Sequence, residues 1–405
     1  MHLDIPAIQA ALREDGLDGW LWFDFRGSNP IARKMAGLDT SSKMTTRRWF
    51  YLVPATGEPR GLVHAIERFN LDQLPGRIDT YSRRETLAAG LDALLQGCRR
   101  IAMEYSPGCA IPYLSRVDAG TLEMVRERGV EVVGSGDLVQ RFEARWSTDL
   151  YETHKAASAA LYRIKDRAFA EVARRLRDGV PATELEIQRL MLQWFDEEGL
   201  VSDSTPNVSA QENAGNPHYH PSDQQFRAIH ADEVLLLDLW GKLKTPGAVF
   251  ADITWVGFTG RTVPAEVARA FDTAARARDA AVALVQRATR AGDDLRGWQV
   301  DRAAREVLEG AGYRDEIWHR TGHSLGETVH GNGVNMDDYE THDDRRARRC
   351  DRDRATNASR AALHDARVGP SDGAGRRIGN DVKPDRATGH VRAHRHRRRS
   401  RHPDR

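Results

Sequence analysis

Between Val234 and Glu340 the chain sets acidic and imidazole side chains into segments that otherwise read as buried strand and tight turn. The segments are VLLLDLWGK, FADITW and IWHRTGHSLGETVHGNGVNMDDYETHDD. Asp238 follows the apolar run Val234–Leu237, which suits a buried strand. A carboxylate there needs a cation or several donors, because burying it bare is costly. Asp252 lies in Phe250-Ala251-Asp252-Ile253-Thr254-Trp255, again strand-like, and Gly241 to Gly247 between the two runs carries turn chemistry. Two neighbouring strands would bring the carboxylates together. Like charges at close range repel unless a divalent ion lies between them or Arg or Lys pairs with them. The plainer readings are an Asp capping a strand end and a structural carboxylate pair.

His323 sits in Thr321-Gly322-His323-Ser324-Leu325-Gly326, where the glycines allow unusual dihedrals and close approach. A lone histidine is more often a satisfied core residue than a ligand. Here His319, His323 and His330 fall close together with Gly322, Gly326, Gly331 and Gly333 interleaved, which suggests a site. The spacing is neither HExxH nor a zinc-finger pattern. His218 and His220, in GNPHYHP, are two further candidates. Oxygen-rich ligation with one imidazole suits manganese, cobalt or zinc better than copper.

At 405 residues two domains are the default expectation. The net charge of +1 implies no acidic partner, but it hides an asymmetry. Residues 345–405 are rich in Arg, with Lys383 their single Lys, and contain no Glu and no aromatic residue. Cys98, Cys109 and Cys350 are few and not in CxxC spacing, which argues against a disulfide framework or a thiolate zinc site. The start, MHLDIPAIQAALREDG, has no apolar signal region, and no run approaches a membrane span. The expectation is a soluble cytoplasmic protein with no membrane partner.

Strand-like runs at 20–25, 48–54, 60–64, 101–105 and 130–133 alternate with helical patterns at 85–95 and 119–128. That order predicts an α/β domain ending near residue 145. Beyond it come long helical patterns over 147–178, 183–195, 265–289 and 298–310, with the strands carrying Asp238 and Asp252 among them.

Residues 146–344 resemble the M24 metallopeptidase family, the creatinase, Xaa-Pro aminopeptidase and prolidase group. DLW, ADITW, WHRTGHSLG and VHGNGVNMDDYETHDDR stand in the order that family expects. Residues 1–145 resemble its smaller creatinase-type N-terminal domain. The resemblance implies an α/β (α+β) architecture, with that domain followed by a pita-bread domain. It implies two divalent ions, manganese first and cobalt or zinc as alternatives, and a peptide substrate containing proline. Carried over, Asp238 is a metal ligand, Asp252 bridges two metals and His323 binds the second. His218, His319 and His330 match substrate-side, catalytic histidines. A homodimer is a further expectation, and no specific nucleic-acid partner is expected.

The family pattern continues with two glutamates, one in an EPG turn soon after the DDR segment and one on a later strand. Neither is present, and no Glu follows Glu340. The tail 345–405 is poor in apolar residues, with no strand alternation and no helical face, so it reads as a disordered basic segment. Such a composition is what a GC-rich coding region gives when translated out of frame. The rival reading is a basic arm, but no aromatic residue is there to stack on bases. The pita-bread domain is therefore expected to be incomplete at its C-terminal end and the chain inactive as written. The alternative is a metal-free protein on this scaffold, either a binding pseudoenzyme or a creatinase-like amidinohydrolase.

Overall fold

The structure, a computed structural model, describes residues 3–38 and 45–346. In chain order the first elements are α1 (Ile5–Glu14), β1 (Gly19–Asp24), α2 (Pro30–Met35), β2 (Trp49–Pro54), β3 (Arg60–His64) and β4 (Arg77–Tyr81). They continue with α3 (Arg84–Leu94), β5 (Arg100–Met103), α4 (Ala119–Arg126), β6 (Glu131–Gly134) and α5 (Gly136–Phe142). The six strands form one sheet in the order β4-β3-β2-β1-β5-β6. The β1–β2–β3 meander is antiparallel, and both flanks are parallel. β1 and β2 are buried along their whole length, which is why they read as continuous apolar runs rather than as alternating ones. Trp20, Trp22, Trp49 and Tyr51 fill one side of this sheet, and Leu21, Phe23, Phe50 and Leu52 the other.

The next elements are α6 (Thr148–Arg177), α7 (Glu184–Glu197), β7 (Leu200–Val201), β8 (Asn207–Ala210), β9 (Val234–Leu243) and β10 (Ala251–Phe258). Two helices follow, α8 (Ala265–Ala291) and α9 (Gly297–Gly310). Ser147 caps α6 by accepting from the Leu150 N–H, and Thr183 and Glu186 form a capping box on α7. Ala157, Ala160, Leu161, Ile164, Ala168 and Val172 recur at three- and four-residue steps and make the buried stripe of α6. That stripe packs on Leu235, Leu237 and Leu239 of β9 and Ile253 of β10. Several of its members are alanines, so helix and sheet approach closely. β9 is the central strand, with β10 on one side and β7 and β8 on the other, all antiparallel.

Sequence periodicity places the long helices to within a few residues. It misses α2, β4, α5 and β7, all short. Pro30 opens α2 with Asn29 as its cap, and a helix this brief shows no periodicity to read. Arg77–Tyr81 has only Tyr81 fully buried, so hydrophobic alternation is faint there. No helix among the described residues is long and apolar enough to cross a membrane. Apart from Arg345 and Arg346, the tail 345–405 lies outside the described residues.

Candidate metal centre

Leu235, Leu237, Leu239 and Ile253 face α6, so the residues alternating with them face the other way. On that opposite face the register sets Asp238 beside Thr254 and Asp252 beside Trp240. On the far side of β9, Asn207 of β8 pairs with Asp238. The β9–β10 hairpin thus delivers both predicted acids to one surface, one residue pair apart. Asp238 Oδ1 accepts from the Thr254 hydroxyl at 2.8 Å. Burial first, and then the charge of Asp252, pushes the Asp238 carboxyl up to about 7, against smaller downward pulls from Thr254 and His323. An acid so raised is short of positive charge.

His323 comes from the glycine-bracketed turn after α9. Its Nε2 lies 3.3 Å from Asp252 Oδ2, both side chains being about one-fifth exposed (22%). Its Nδ1 lies 3.2 Å from the Ser324 carbonyl. The ring donates from Nδ1 to that carbonyl in one tautomer and from Nε2 to Asp252 in the other. The Nδ1–H form leaves the Nε2 lone pair facing Asp252, as a metal ligand requires. The turn is held at many points. Gly322 and Met336 exchange backbone hydrogen bonds, and Ser324 N–H donates to Asn335 Oδ1 at 3.0 Å. Gly333 N–H donates to the Ser324 hydroxyl at 3.1 Å, and a Cβ on Gly333 would lie only 2.5 Å from that oxygen. Phe250 N–H donates to Gly326 O at 2.9 Å, tying the turn to the start of β10.

His330 joins this group, its ring centroid 4.4 Å from that of His323. Burial, then the charges of His323 and Arg320, hold its pKa below the usual imidazole range. Among the described residues, His218 and His319 hydrogen-bond only within their own segments. His218 is exposed in the segment after β8, where its N–H donates to Asn216 Oδ1. His319 is exposed and sits against the carbonyl of its own neighbour, Arg320. The neighbouring His220 approaches the Trp240 ring edge-on at 6.5 Å. Among the described residues no group of three or more His, Cys, Asp or Glu side chains is gathered closely enough to hold a metal ion. Each acid is instead turned to a protein partner, Asp238 to Thr254 and Asp252 to His323.

Residues not anticipated from the sequence are Thr254, Asn207, Trp240 and Asp203, whose Oδ1 accepts from Trp240 Nε1 at 2.7 Å. Two-residue alternation from Asp238 and Asp252 would have found Thr254 and Trp240. Nothing local in the sequence points to Asn207 or Asp203.

Residues 157–350 match the sequence profile of metallopeptidase family M24. That segment belongs to metallopeptidase family M24. The crystal structure of dipeptidase PepE from Mycobacterium ulcerans superposes with a TM-score of 0.57 at 23% identity, covering 82% of each chain. A recombinant prolidase from Thermococcus sibiricus gives 0.55 at 18% identity, over 86% of this chain and 88% of that one. In sequence, the probable dipeptidase PepE of Mycobacterium tuberculosis is 28% identical over 203 residues, 50% of this chain. The chain spans about half the length (49%) of the curated relatives it matches.

M24 membership implies a divalent metal cofactor. The donors fit one in kind. Two carboxylates of adjacent strands face the same side, one of them short of positive charge, and an imidazole nitrogen is oriented toward the other.

Proposed function

We propose that this M24 chain descends from a peptidase acting on bonds next to proline, with Asp238, Asp252 and His323 as ligands of a dinuclear divalent-metal centre. The observation that carries the reading is the register of β9 on β10, which sets both acids on one face, with His323 Nε2 3.3 Å from Asp252. Bound metal would supply Lewis-acid polarisation of the scissile carbonyl and acidify an attacking water. The protein's own contribution is to fix the donors. Thr254 holds Asp238, and the Ser324 carbonyl accepts from Nδ1 in the His323 tautomer that a metal requires. Manganese is the preferred ion, with cobalt or zinc as alternatives, and the setting is a cytoplasmic, homodimeric protein.

His218, His319 and His330 are proposed to serve the substrate. His330, kept neutral by burial beside His323, is suited to accept or relay a proton. Alanine at each position in a frame-restored enzyme should leave folding intact and lower turnover of an Xaa-Pro peptide about 10²-fold or more. Turnover unchanged in a variant of reduced stability would return that histidine to a structural role.

The absence of Glu after Glu340 leaves the proposed centre two carboxylates short, so the chain as written is proposed to be inactive. A metal-free reading is favoured by one observation: each acid already meets a protein group, Asp238 the Thr254 hydroxyl and Asp252 the His323 ring. Equilibrium dialysis against Mn²⁺ separates the two readings. The metal reading expects weak binding that is lost in Asp252→Asn, whereas binding indifferent to that change supports the metal-free scaffold.

The chain is further proposed to divide into an N-terminal domain of residues 1–145 and a pita-bread domain from 146, with the boundary just before α6. Each sheet has its own core. Limited proteolysis should cut between about residues 142 and 152 and leave a stable C-terminal fragment. Simultaneous loss of both halves would speak against autonomous domains.

A further inference from the structure

Trp240 stands directly opposite Asp252 across the β9–β10 ladder, on the face that carries both acids. Its indole is not free to turn. Nε1 donates to Asp203 Oδ1 at 2.7 Å, and the His220 ring meets it edge-on, 6.5 Å between centroids and 78° between planes. The indole is only partly buried, so a flat aromatic surface beside the acids remains open to a ligand.

We infer that Trp240, pinned by Asp203 and fronted by His220, is a specificity-determining wall on the acid-bearing face, against which the pyrrolidine ring of a proline-containing peptide seats. The inference rests on the peptidase reading and deepens it. A peptide nitrogen contributed by proline has no N–H, so no hydrogen-bond acceptor can recognise it. Selection for proline must act through shape and apolar contact with the ring. A rigid indole offers such contact at little ordering cost, because its orientation is already fixed. The hydrogen bond to Asp203 is what keeps it fixed, so Asp203 is a positioning residue for the wall.

The test uses the full chain and two dipeptides, Ala-Pro and Ala-Ala, titrated by calorimetry, with Mn²⁺ binding measured separately on each variant. The wild-type chain should bind Ala-Pro more tightly, and Trp240→Ala should cut the ratio of the two affinities about tenfold or more, within the range of one apolar contact. Trp240→Phe should keep part of the preference. Asp203→Asn, which retains an acceptor oxygen, should keep it, and Asp203→Ala should lose it. Mn²⁺ binding should be unchanged in all four variants. The wall is overturned if the wild type shows no preference or binds neither dipeptide, if Trp240→Ala weakens both dipeptides equally, or if Asp203→Asn behaves as Asp203→Ala. Failure of the metal reading looks different: Mn²⁺ binding is absent from the wild type while the dipeptide ratio still responds to Trp240.

Discussion

Expressed side by side, the chain as it stands should release no measurable amino-terminal residue from an Xaa-Pro peptide, and a version read in the alternative frame after about codon 345 should do so. The difference is expected to be at least about 10³-fold under Mn²⁺ or Co²⁺, since losing even one group that stabilises the transition state costs on that order. Three proposed ligands are present, but Asp351, Asp353, Asp365, Asp372 and Asp381 are the kind of acid the tail offers, and none has an EPG-like or strand-like context to aim it. β10 forms one edge of its sheet among the described residues, so the acid-bearing face stops at Asp252 and Thr254. Activity and bound metal would be measured on both proteins. Robust metal-dependent hydrolysis by the chain as given would defeat the proposal, and so would an alternative frame lacking an EPG-type turn.

The acids of the candidate centre were legible because a carboxylate inside an apolar strand is an expensive arrangement that asks for a reason. Asp238 and Asp252 both stand out in this way, and the turn chemistry between them points to neighbouring strands, which the structure shows to be antiparallel. His323 was legible from its glycines, which the structure explains by backbone crowding against Ser324. His218 and His319 rested on local His-rich patterns and on motif resemblance, and the structure sets both at the surface, each against nearby backbone or side-chain groups of its own segment. Asp203 and Asn207 could not be read at all. Their approach to Trp240 and Asp238 depends on how β8 and the segment before it dock on β9, a long-range pairing that no local pattern encodes. The same logic applies to the fold. The 30-residue α6 repeats its buried stripe often enough to be seen, whereas the two-residue β7 exists only through its pairing with β9.

Arg345→Ala should be the most damaging single substitution for the stability of the His323 turn. The Arg345 side chain is 4% exposed and Asp343 is fully buried. The guanidinium donates from Nε to Asp343 Oδ1 at 2.9 Å and from Nη2 to Oδ2 at 2.6 Å. Its remaining donors reach the carbonyls of Asn332 and Gly333, each at 2.6 Å. Asp343 in turn accepts from Asn335 N–H at 2.8 Å, and Asn335 accepts from Ser324 N–H, next to His323. The backbone carbonyls of Asp343 and Arg345 also accept from Trp298 and Gly297 at the start of α9. A Cβ on Gly297 would fall 2.0 Å from Asn335 O, so helix and turn are in direct contact there. Removing the guanidinium leaves a buried carboxylate and two buried carbonyls without their donor, which should cost about 3–5 kcal/mol. Arg345→Lys should recover little, because a single ammonium cannot grip both carboxylate oxygens and two carbonyls at once. Denaturant unfolding followed by tryptophan fluorescence would measure the loss. The double variant Asp343→Ala/Arg345→Ala should be less unstable than the two single losses added together, because the carboxylate stranded in Arg345→Ala is gone. A loss below about 1 kcal/mol in Arg345→Ala, the range of an exposed ion pair, would show that the pair does not hold the turn.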